Sequence, residues 1–307
     1  MKILIAGATG LIGSKLVPFL KEQGHQVVIL TREQGQLDSG SISWNPESGF
    51  IDGSKLEGFD AIINLAGENI ADGRWTEEKK EKIYKSRVNL TRQLSEAIAN
   101  LTKPPKVFIN ASATGYYGNK WDIIQTEDSP RGVGFLADLC LKWEEATQVA
   151  EDRGIRVVKL RTGIVLSPQG GALGKMIPPF KMGMGGTLGG GAQYMSWITL
   201  EDLIRVIDFA LTHDSIKGPI NVVTPNPVSN ADFTKALGKQ LHRPTFMHMP
   251  EMVVKVMFGE MADEMLLSST RAMPEKLTNA GFKFEYPMLE EALQHVLGAN
   301  ESLSKKQ

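Results

Sequence analysis

Short apolar runs alternate with longer stretches of helical periodicity in the first half of the chain. The runs have the length of buried strands and lie at 2–6, 26–30, 60–66, 106–112 and 155–161. The stretches between them place apolar residues at helical spacing and lie at 11–23, 76–100 and 135–151. Strands that alternate with helices predict an α/β fold, a doubly wound parallel sheet with helices on both faces.

The pattern changes after about residue 167. Residues 168–192 hold nine glycines and three prolines, which is too many for the interior of a regular element, so we expect a mobile loop over a site. Shorter elements follow, with helices at 200–211, near 230–240 and near 250–267, and a strand at 219–224. We therefore predict a larger domain at 1–167, to which strands return from about 200–225, and a smaller substrate-side lobe at 168–307.

Composition narrows the class of protein. With 42% apolar and 22% charged residues, a net charge of -1 and 307 residues, the chain suits a folded globular protein. This balance favours neither a nucleic-acid partner nor an anionic membrane surface, and no run approaches the ~18 apolar residues of a membrane span. Cys140 is the single cysteine, the histidines are scattered, and the first residues lack a secretion signal. We expect a cytoplasmic protein without a metal site.

Three glycines follow the first predicted strand directly. Gly7, Gly10 and Gly13 form a G-x-x-G-x-x-G pattern between that strand and the next predicted helix. Such glycines allow a tight turn, close approach to a pyrophosphate and close packing of helix on strand, while free N–H groups of the helix face the anion. The context predicts a dinucleotide site.

The end of the second strand indicates which dinucleotide is bound. NAD sites usually place a carboxylate there, on the ribose 2′-hydroxyl. Here Thr31 and Arg32 occupy that place, and an arginine can pair with a 2′-phosphate, so NADP(H) is favoured. The alternative is that Glu33 faces the ribose, Arg32 points to solvent, and NAD binds.

A series of motifs carries a family resemblance. In chain order these are GATGLIG (7–13, with the preceding strand), NLAGENI (64–70), ASATGYYG (111–118), GFLADLC (134–140), RTGIVLS (161–167) and QYMSWITLEDL (193–203). The series resembles the extended short-chain dehydrogenase/reductase family, which contains the nucleotide-sugar epimerases, and within it an atypical epimerase-like branch. The stretch at about 249–297 is similar to the small C-terminal domain of that branch. The resemblance implies a Rossmann-type fold and NADP(H) binding, but no particular reaction. The substrate is expected to be a small molecule, and a nucleotide-sugar-like compound is one option.

The resemblance also implies which residues lie along the cofactor. The phosphate loop comprises Gly7, Thr9, Gly10, Leu11, Ile12 and Gly13, and the adenosine ribose position comprises Thr31 and Arg32. Farther along, the residues expected at the cofactor are Asn64, Leu65, Ala66, Arg87 as a cofactor-facing cation, and Val165 near the nicotinamide. Asn64 has the alternative of capping a turn, and Arg87 that of a solvated helix residue.

In the resembled family, a Ser or Thr hydroxyl, a tyrosine and a lysine four residues later carry the chemistry. The lysine holds the nicotinamide ribose and lowers the tyrosine pKa by its charge. If Glu144 marks the family's glutamate, Leu136 stands in the tyrosine place and Cys140 in the lysine place. The usual Tyr-x-x-x-Lys pair is therefore missing from the predicted helix at 134–146.

Tyr116 and Lys120 are also four apart, but Gly118 and Asn119 between them favour a turn, so we do not expect them to act as that pair. The catalytic candidates are Ser112, Thr114, Tyr116 and Tyr117. The leading hypothesis is an NADP(H)-dependent oxidoreductase or epimerase-like enzyme, in which Tyr116, Tyr117 or a water handles the proton. The rival is a non-catalytic protein that senses NADP(H).

Methionines are concentrated near the C-terminal end. Seven of the 13 methionines fall within 247–273. They are expected to fill gaps in a small core, and the alternative is a hydrophobic surface for a homodimer or another partner.

Overall fold

Parallel strands form the centre of the computed structural model, which describes residues 1–32, 40–46 and 51–304, the last six without their side chains. The strands in these ranges are β1 (Lys2–Ala6), β2 (Gln26–Thr31), β3 (Ser41–Ser43), β4 (Ala61–Asn64), β5 (Val107–Ala113), β6 (Ile124–Gln125), β7 (Arg156–Thr162), β8 (Ile164–Leu166), β9 (Gly186–Leu188), β10 (Tyr194–Met195), β11 (Trp197–Thr199), β12 (Gly218–Val222), β13 (Val228–Ser229), β14 (Met247–Met249) and β15 (Arg271–Ala272).

Helices connect most of these strands. They are α1 (Gly13–Glu22), α2 (Glu77–Tyr84), α3 (Leu90–Ala99), α4 (Phe135–Glu145), α5 (Gln148–Asp152), α6 (Gly171–Lys181), α7 (Leu200–Thr212), α8 (Asn230–Gln240), α9 (Glu251–Phe258), α10 (Glu275–Asn279) and α11 (Leu289–Ser304). A π-helical segment, Lys85–Asn89, joins α2 to α3, and a second one spans Ala262–Leu266.

The main sheet contains seven strands of the described chain in the order β12-β7-β5-β4-β1-β2-β3, and every neighbouring pair is parallel. The order reverses between β1 and β4, which is where ligands bind in open α/β sheets. The predicted doubly wound, Rossmann-type sheet is confirmed.

Each face of the sheet packs against helices. Along β1, Ile3 and Ile5 point to a core shared with α1 and α7, while Leu4 and Ala6 point to a core shared with α3 and α5. This alternation follows from the two-residue period of a strand, and a strand covered on both faces reads as a continuous apolar run. Fully burying one such aliphatic side chain contributes about 1.5–3 kcal/mol.

The segment at 168–192 differs from the prediction. Instead of a loop throughout, it contains α6, with Pro178 and Pro179 inside the helix, and then β9. Leu173 and Phe180 are buried in a core with α8 and α11. This packing stabilises α6 although its glycines and prolines have low helix propensity.

Three predicted helices are also interrupted. The stretch at 76–100 is one helical path whose middle turn, Lys85–Asn89, is π-helical. The stretch at 135–151 divides into α4 and α5, and the stretch near 250–267 divides into α9 and the second π-helical segment. Single π turns occur often at functional sites, and the π-helical turn at Lys85–Asn89 contains the predicted cofactor residue Arg87.

The C-terminal part forms a smaller lobe beside the carboxyl edge of the sheet. Its β14 pairs with β9, its β15 pairs with β6, and α11 packs on α8. The family prediction of a small C-terminal domain is confirmed, whereas the exact boundary between the lobes stays a prediction. No helix of the described ranges is long and apolar enough to cross a membrane.

Candidate functional site

The glycine turn between β1 and α1 is closely packed at two of its three glycines. Gly7 has φ +82°, and a Cβ there would lie 2.7 Å from the Ala66 nitrogen and the Leu65 carbonyl carbon. A Cβ at Gly13 would lie 2.3 Å from the Gly7 carbonyl oxygen. These two glycines are therefore required by the fold itself.

Gly10 is different, because protein packing does not explain it. It is exposed, its φ does not require glycine, and a Cβ there would meet only the Gly7 oxygen at an ordinary 3.4 Å. Among the described residues, the neighbouring N–H groups of Leu11 and Ile12 donate to no acceptor. The turn thus presents an open surface and free donors at the start of α1, which fits a pyrophosphate.

Asn64 shapes the chain where β4 ends. Its buried amide nitrogen donates to Thr91 Oγ1 (3.0 Å) and Asn110 Oδ1 (2.7 Å), and its oxygen accepts from the Ala66 N–H (3.2 Å). The side chain therefore holds Leu65 and Ala66 against the glycine turn. The predicted contact of Asn64 itself with a cofactor stays a prediction.

Arg87 lies on the π-helical segment Lys85–Asn89 and is partly buried. Its guanidinium carbon lies 5.2 Å from the centre of the Trp143 ring and 3.2 Å from where a Cβ of Gly67 would stand. Burial lowers the pKa of Arg87 to about 10, although Cys140 and Glu68 raise it, so the group stays charged at neutral pH.

A buried ion pair stands at the end of β5. Glu144 on α4 accepts from Arg161 of β7 at both oxygens, with distances of 2.8 Å from Nε and 2.9 Å from the second terminal nitrogen. Ser112 also donates its hydroxyl to Glu144 Oε1 at 2.8 Å. Ser112 is therefore engaged in the core, and the ion pair ties α4 to the sheet.

The two adjacent tyrosines have different surroundings. The fully buried Tyr117 donates its hydroxyl to Asn221 Oδ1 (2.7 Å) and accepts from Arg161 (3.1 Å), and burial raises its pKa to about 12. Tyr116 is partly buried, with its ring 3.5 Å from the Arg161 guanidinium carbon. The hydroxyls of Tyr116 and Thr114 have no hydrogen-bond partner among the described residues.

The structure confirms that Tyr116 and Lys120 do not lie on one helix. Thr114–Tyr117 is a 3₁₀ turn that ends at Gly118, which has φ +60°. Across from this turn, a Cβ at Gly115 would lie 3.3 Å from Leu136 Cβ and 3.8 Å from Cys140 Sγ. The residues in the tyrosine and lysine places therefore pack against the turn. Burial raises the pKa of the Cys140 thiol to about 12, so the thiol stays neutral.

Two other predicted cofactor residues, Arg32 and Val165, lie near the ends of strands. Arg32 is exposed directly after β2, whereas Glu33 lies outside the described residues. Val165 lies in β8, and its carbonyl oxygen is 3.7 Å from where a Cβ of Gly171 would stand; the same Cβ would be 3.3 Å from Leu11. The start of α6 thus brings the Val165 strand beside the glycine turn.

Two long-range contacts join this part of the fold to distant segments, and spacing along the chain does not predict them. Glu264 accepts hydrogen bonds from the backbone N–H groups of Phe135 (3.3 Å) and Leu136 (3.0 Å) at the start of α4. Lys175 of α6 reaches Asp72 (2.7 Å) and the Ala71 carbonyl (2.5 Å) in the loop after β4. Clusters of three or more potential metal-ligating side chains are absent from the described ranges.

Comparison with known proteins identifies the family. Residues 3–223 match the model of the NAD dependent epimerase/dehydratase family, and residues 249–296 match a domain of unknown function, DUF1731. The chain belongs to this epimerase family. The epimerase family protein Mb2239 of Mycobacterium bovis is 46% identical over 95% of this chain and 96% of its own. Human epimerase family protein SDR39U1 is 35% identical over 97% and 100%, respectively.

Solved structures agree with this assignment. The crystal structure of human SDR39U1 (isoform 2) with NADPH superposes with a TM-score of 0.87 at 34% identity, over 96% of this chain and 99% of that chain. A UDP-glucuronic acid 4-epimerase from Bacillus cereus in complex with NAD has a TM-score of 0.76 at 22% identity, covering 100% and 99%. The second likeness shows the fold alone.

Proposed function

We propose that this protein binds NADP(H) and acts as an epimerase-like oxidoreductase on a small molecule. The observation that carries the proposal is Gly10, the glycine of the turn that the fold does not need. An exposed glycine beside the free N–H groups of Leu11 and Ile12 is explained by a phosphate that approaches the backbone.

A preference for NADP(H) over NAD(H) is supported by the residue that follows β2. Arg32 is exposed after β2, where a guanidinium can pair with a 2′-phosphate. The human relative of known structure was crystallised with NADPH. Thr9 and Thr31 would line the phosphate and ribose positions, and Val165 the nicotinamide end.

The candidates for substrate binding and proton transfer are residues whose hydroxyls have no hydrogen-bond partner in the described part of the chain. When bound, NADP(H) supplies or accepts a hydride at C4 of its nicotinamide. Thr114 would hold a substrate oxygen, and Tyr116 would deliver or take the proton at that oxygen, its ring fixed by Arg161. Ser112 and Tyr117 stay candidates, although their hydroxyls are already hydrogen-bonded in the core.

The test begins with the cofactor. Purified protein is titrated with NADPH and NADH, followed by nicotinamide fluorescence, alongside Arg32→Ala and the exposed control Arg92→Ala. We expect tighter binding of NADPH than of NADH, loss of that preference in Arg32→Ala, and no change in the control. Binding of neither dinucleotide would refute the proposal, and an unchanged preference in Arg32→Ala would remove the role of Arg32.

The second candidate function is a sensor that binds NADP(H) without turnover. The missing Tyr-x-x-x-Lys pair, with Leu136 and Cys140 in its place, is the observation that favours it. A carbonyl panel incubated with NADPH separates the two, because hydride transfer that is lost in Tyr116→Phe excludes the sensor. Absence of transfer with tight binding would favour it.

The proposal also covers the class of substrate and the oligomeric state, and each has its own test. Membership of an epimerase/dehydratase family supports a nucleotide-sugar-like substrate. A homodimer is supported by exposed apolar side chains on α9, among them Met252, Val256 and Met257. Thermal shift with a set of nucleotide sugars tests the first, and light scattering of wild type and Val256→Lys tests the second.

A further inference from the structure

Arg87 has no role in the proton transfer proposed for Thr114 and Tyr116, yet its position near α4 suits a cofactor contact. Its guanidinium packs on Trp143, which lies three residues after Cys140 on α4. Arg87 is also near enough to Cys140, the residue in the lysine place, to oppose the rise that burial causes in the pKa of its thiol. The cation therefore comes from the π-helical segment to the face of α4 where the family's lysine would stand.

No direct ion pair neutralises this charge. In the described part of the chain, no carboxylate lies within ion-pair distance of Arg87; Glu68 raises the pKa of Arg87 from farther away and is itself engaged by Lys79 at 2.7 Å. The Cys140 thiol stays protonated because burial raises its pKa. A partly buried guanidinium without a direct ion pair retains a field that acts on a ligand bound beside it.

We propose that Arg87 supplies the fixed positive charge of the nicotinamide end in place of the lysine that is absent at Cys140, and that this charge favours the reduced cofactor over the oxidised one. The inference rests on the proposed NADP(H) binding. Its physical reason is that the nicotinamide ring is positive in NADP⁺ and neutral in NADPH, so a nearby cation repels only the oxidised form.

The consequence is a site poised for reduction. A lysine on a flexible stem can turn toward the ribose hydroxyls, whereas the Arg87 guanidinium is held between Trp143 and Gly67. Its charge is constant, and it would also stabilise negative charge that develops on a substrate oxygen nearby.

The experiment measures the ratio of the dissociation constants of NADP⁺ and NADPH, by calorimetry and by nicotinamide fluorescence. Neutral variants are Arg87→Gln and Arg87→Met, the second of which keeps an apolar stem on Trp143. The charge-retaining variant is Arg87→Lys, and the matched control is Arg92→Gln, which removes an exposed arginine on α3. Thermal unfolding confirms that each variant is folded.

We expect the ratio to fall about threefold to tenfold in the neutral variants, the size of a unit-charge effect in a partly solvated site. It should stay unchanged in Arg87→Lys and Arg92→Gln. An unchanged ratio in a folded neutral variant, or equal weakening of both forms, would overturn the inference and leave NADP(H) binding intact. Binding of neither form by the wild type would overturn both.

Discussion

Replacing Gly10 with alanine separates ligand binding from folding within a single turn. A methyl group at Gly10 would meet only the Gly7 oxygen, at 3.4 Å, whereas a methyl group at Gly13 would lie 2.3 Å from the same oxygen and 2.6 Å from Ala8 Cα. The first contact is ordinary and the second requires the backbone to move. The two substitutions are chemically identical and lie three residues apart in the same turn.

The expected magnitudes follow from these distances. Gly10→Ala should change the free energy of unfolding by no more than about 0.5 kcal/mol, because the residue is exposed and its φ suits alanine. Gly13→Ala should cost about 1–3 kcal/mol, the usual penalty for overpacking against a rigid neighbour. For binding, a methyl group in the path of the phosphates should weaken NADPH at least about tenfold, or about 1.4 kcal/mol.

Urea unfolding gives the stability of both variants, and fluorescence titration gives their NADPH affinity. Thermal unfolding with saturating NADPH provides an independent readout, since the ligand should stabilise the wild type more than Gly10→Ala. The reasoning would be refuted if Gly10→Ala bound NADPH like the wild type, or if it unfolded as readily as Gly13→Ala. The first result would remove the phosphate from the glycine turn.

Three further substitutions test the surroundings of the site. Glu144→Gln leaves the Arg161 guanidinium buried without its counter-charge, and urea unfolding should show a loss of about 3–5 kcal/mol. Tyr117→Phe removes a buried hydroxyl with two hydrogen bonds and should cost about 1–3 kcal/mol while NADPH affinity is retained; loss of turnover in the folded variant would instead make Tyr117 catalytic. Leu136→Tyr forces a ring against Gly115 and should cost about 1–3 kcal/mol without adding NADP⁺-linked alcohol oxidation, and a gain of that activity would contradict the repacked site.

Local pattern predicted six of the seven strands of the main sheet; the exception is β3, a three-residue edge strand whose residues are only partly buried. The strands at 2–6, 26–30 and 106–112 were predicted within one residue at either end, because strands covered on both faces are continuous apolar runs. The helix α6 was missed for a physical reason. Its stability comes from burying Leu173 and Phe180 against distant helices, and this packing outweighs the propensities of its own residues.

The parts of the site that could be predicted are those whose residues lie close together in the sequence. The glycine turn reads directly from the sequence, since all its parts lie within 7–13. The pairing of Glu144 with Arg161 depends on how α4 sits on the sheet, and spacing along the chain does not encode it. Likewise, adjacent Tyr116 and Tyr117 in a 3₁₀ turn face different surroundings, and only the fold shows which of them is enclosed.

The unbonded hydroxyls bear on the choice between an enzyme and a sensor. Thr114 and Tyr116 are partly buried at the carboxyl end of β5, and within the described ranges neither hydroxyl has a protein partner. Neither hydroxyl is among the fully buried polar atoms that lack a partner, so both are accessible to a ligand. Two accessible hydroxyls, one of them on a tyrosine whose ring packs on Arg161, can donate to a substrate oxygen. An enzyme requires such a donor beside the cofactor and a sensor does not, so hydride transfer that is lost in Tyr116→Phe is the result that decides for turnover.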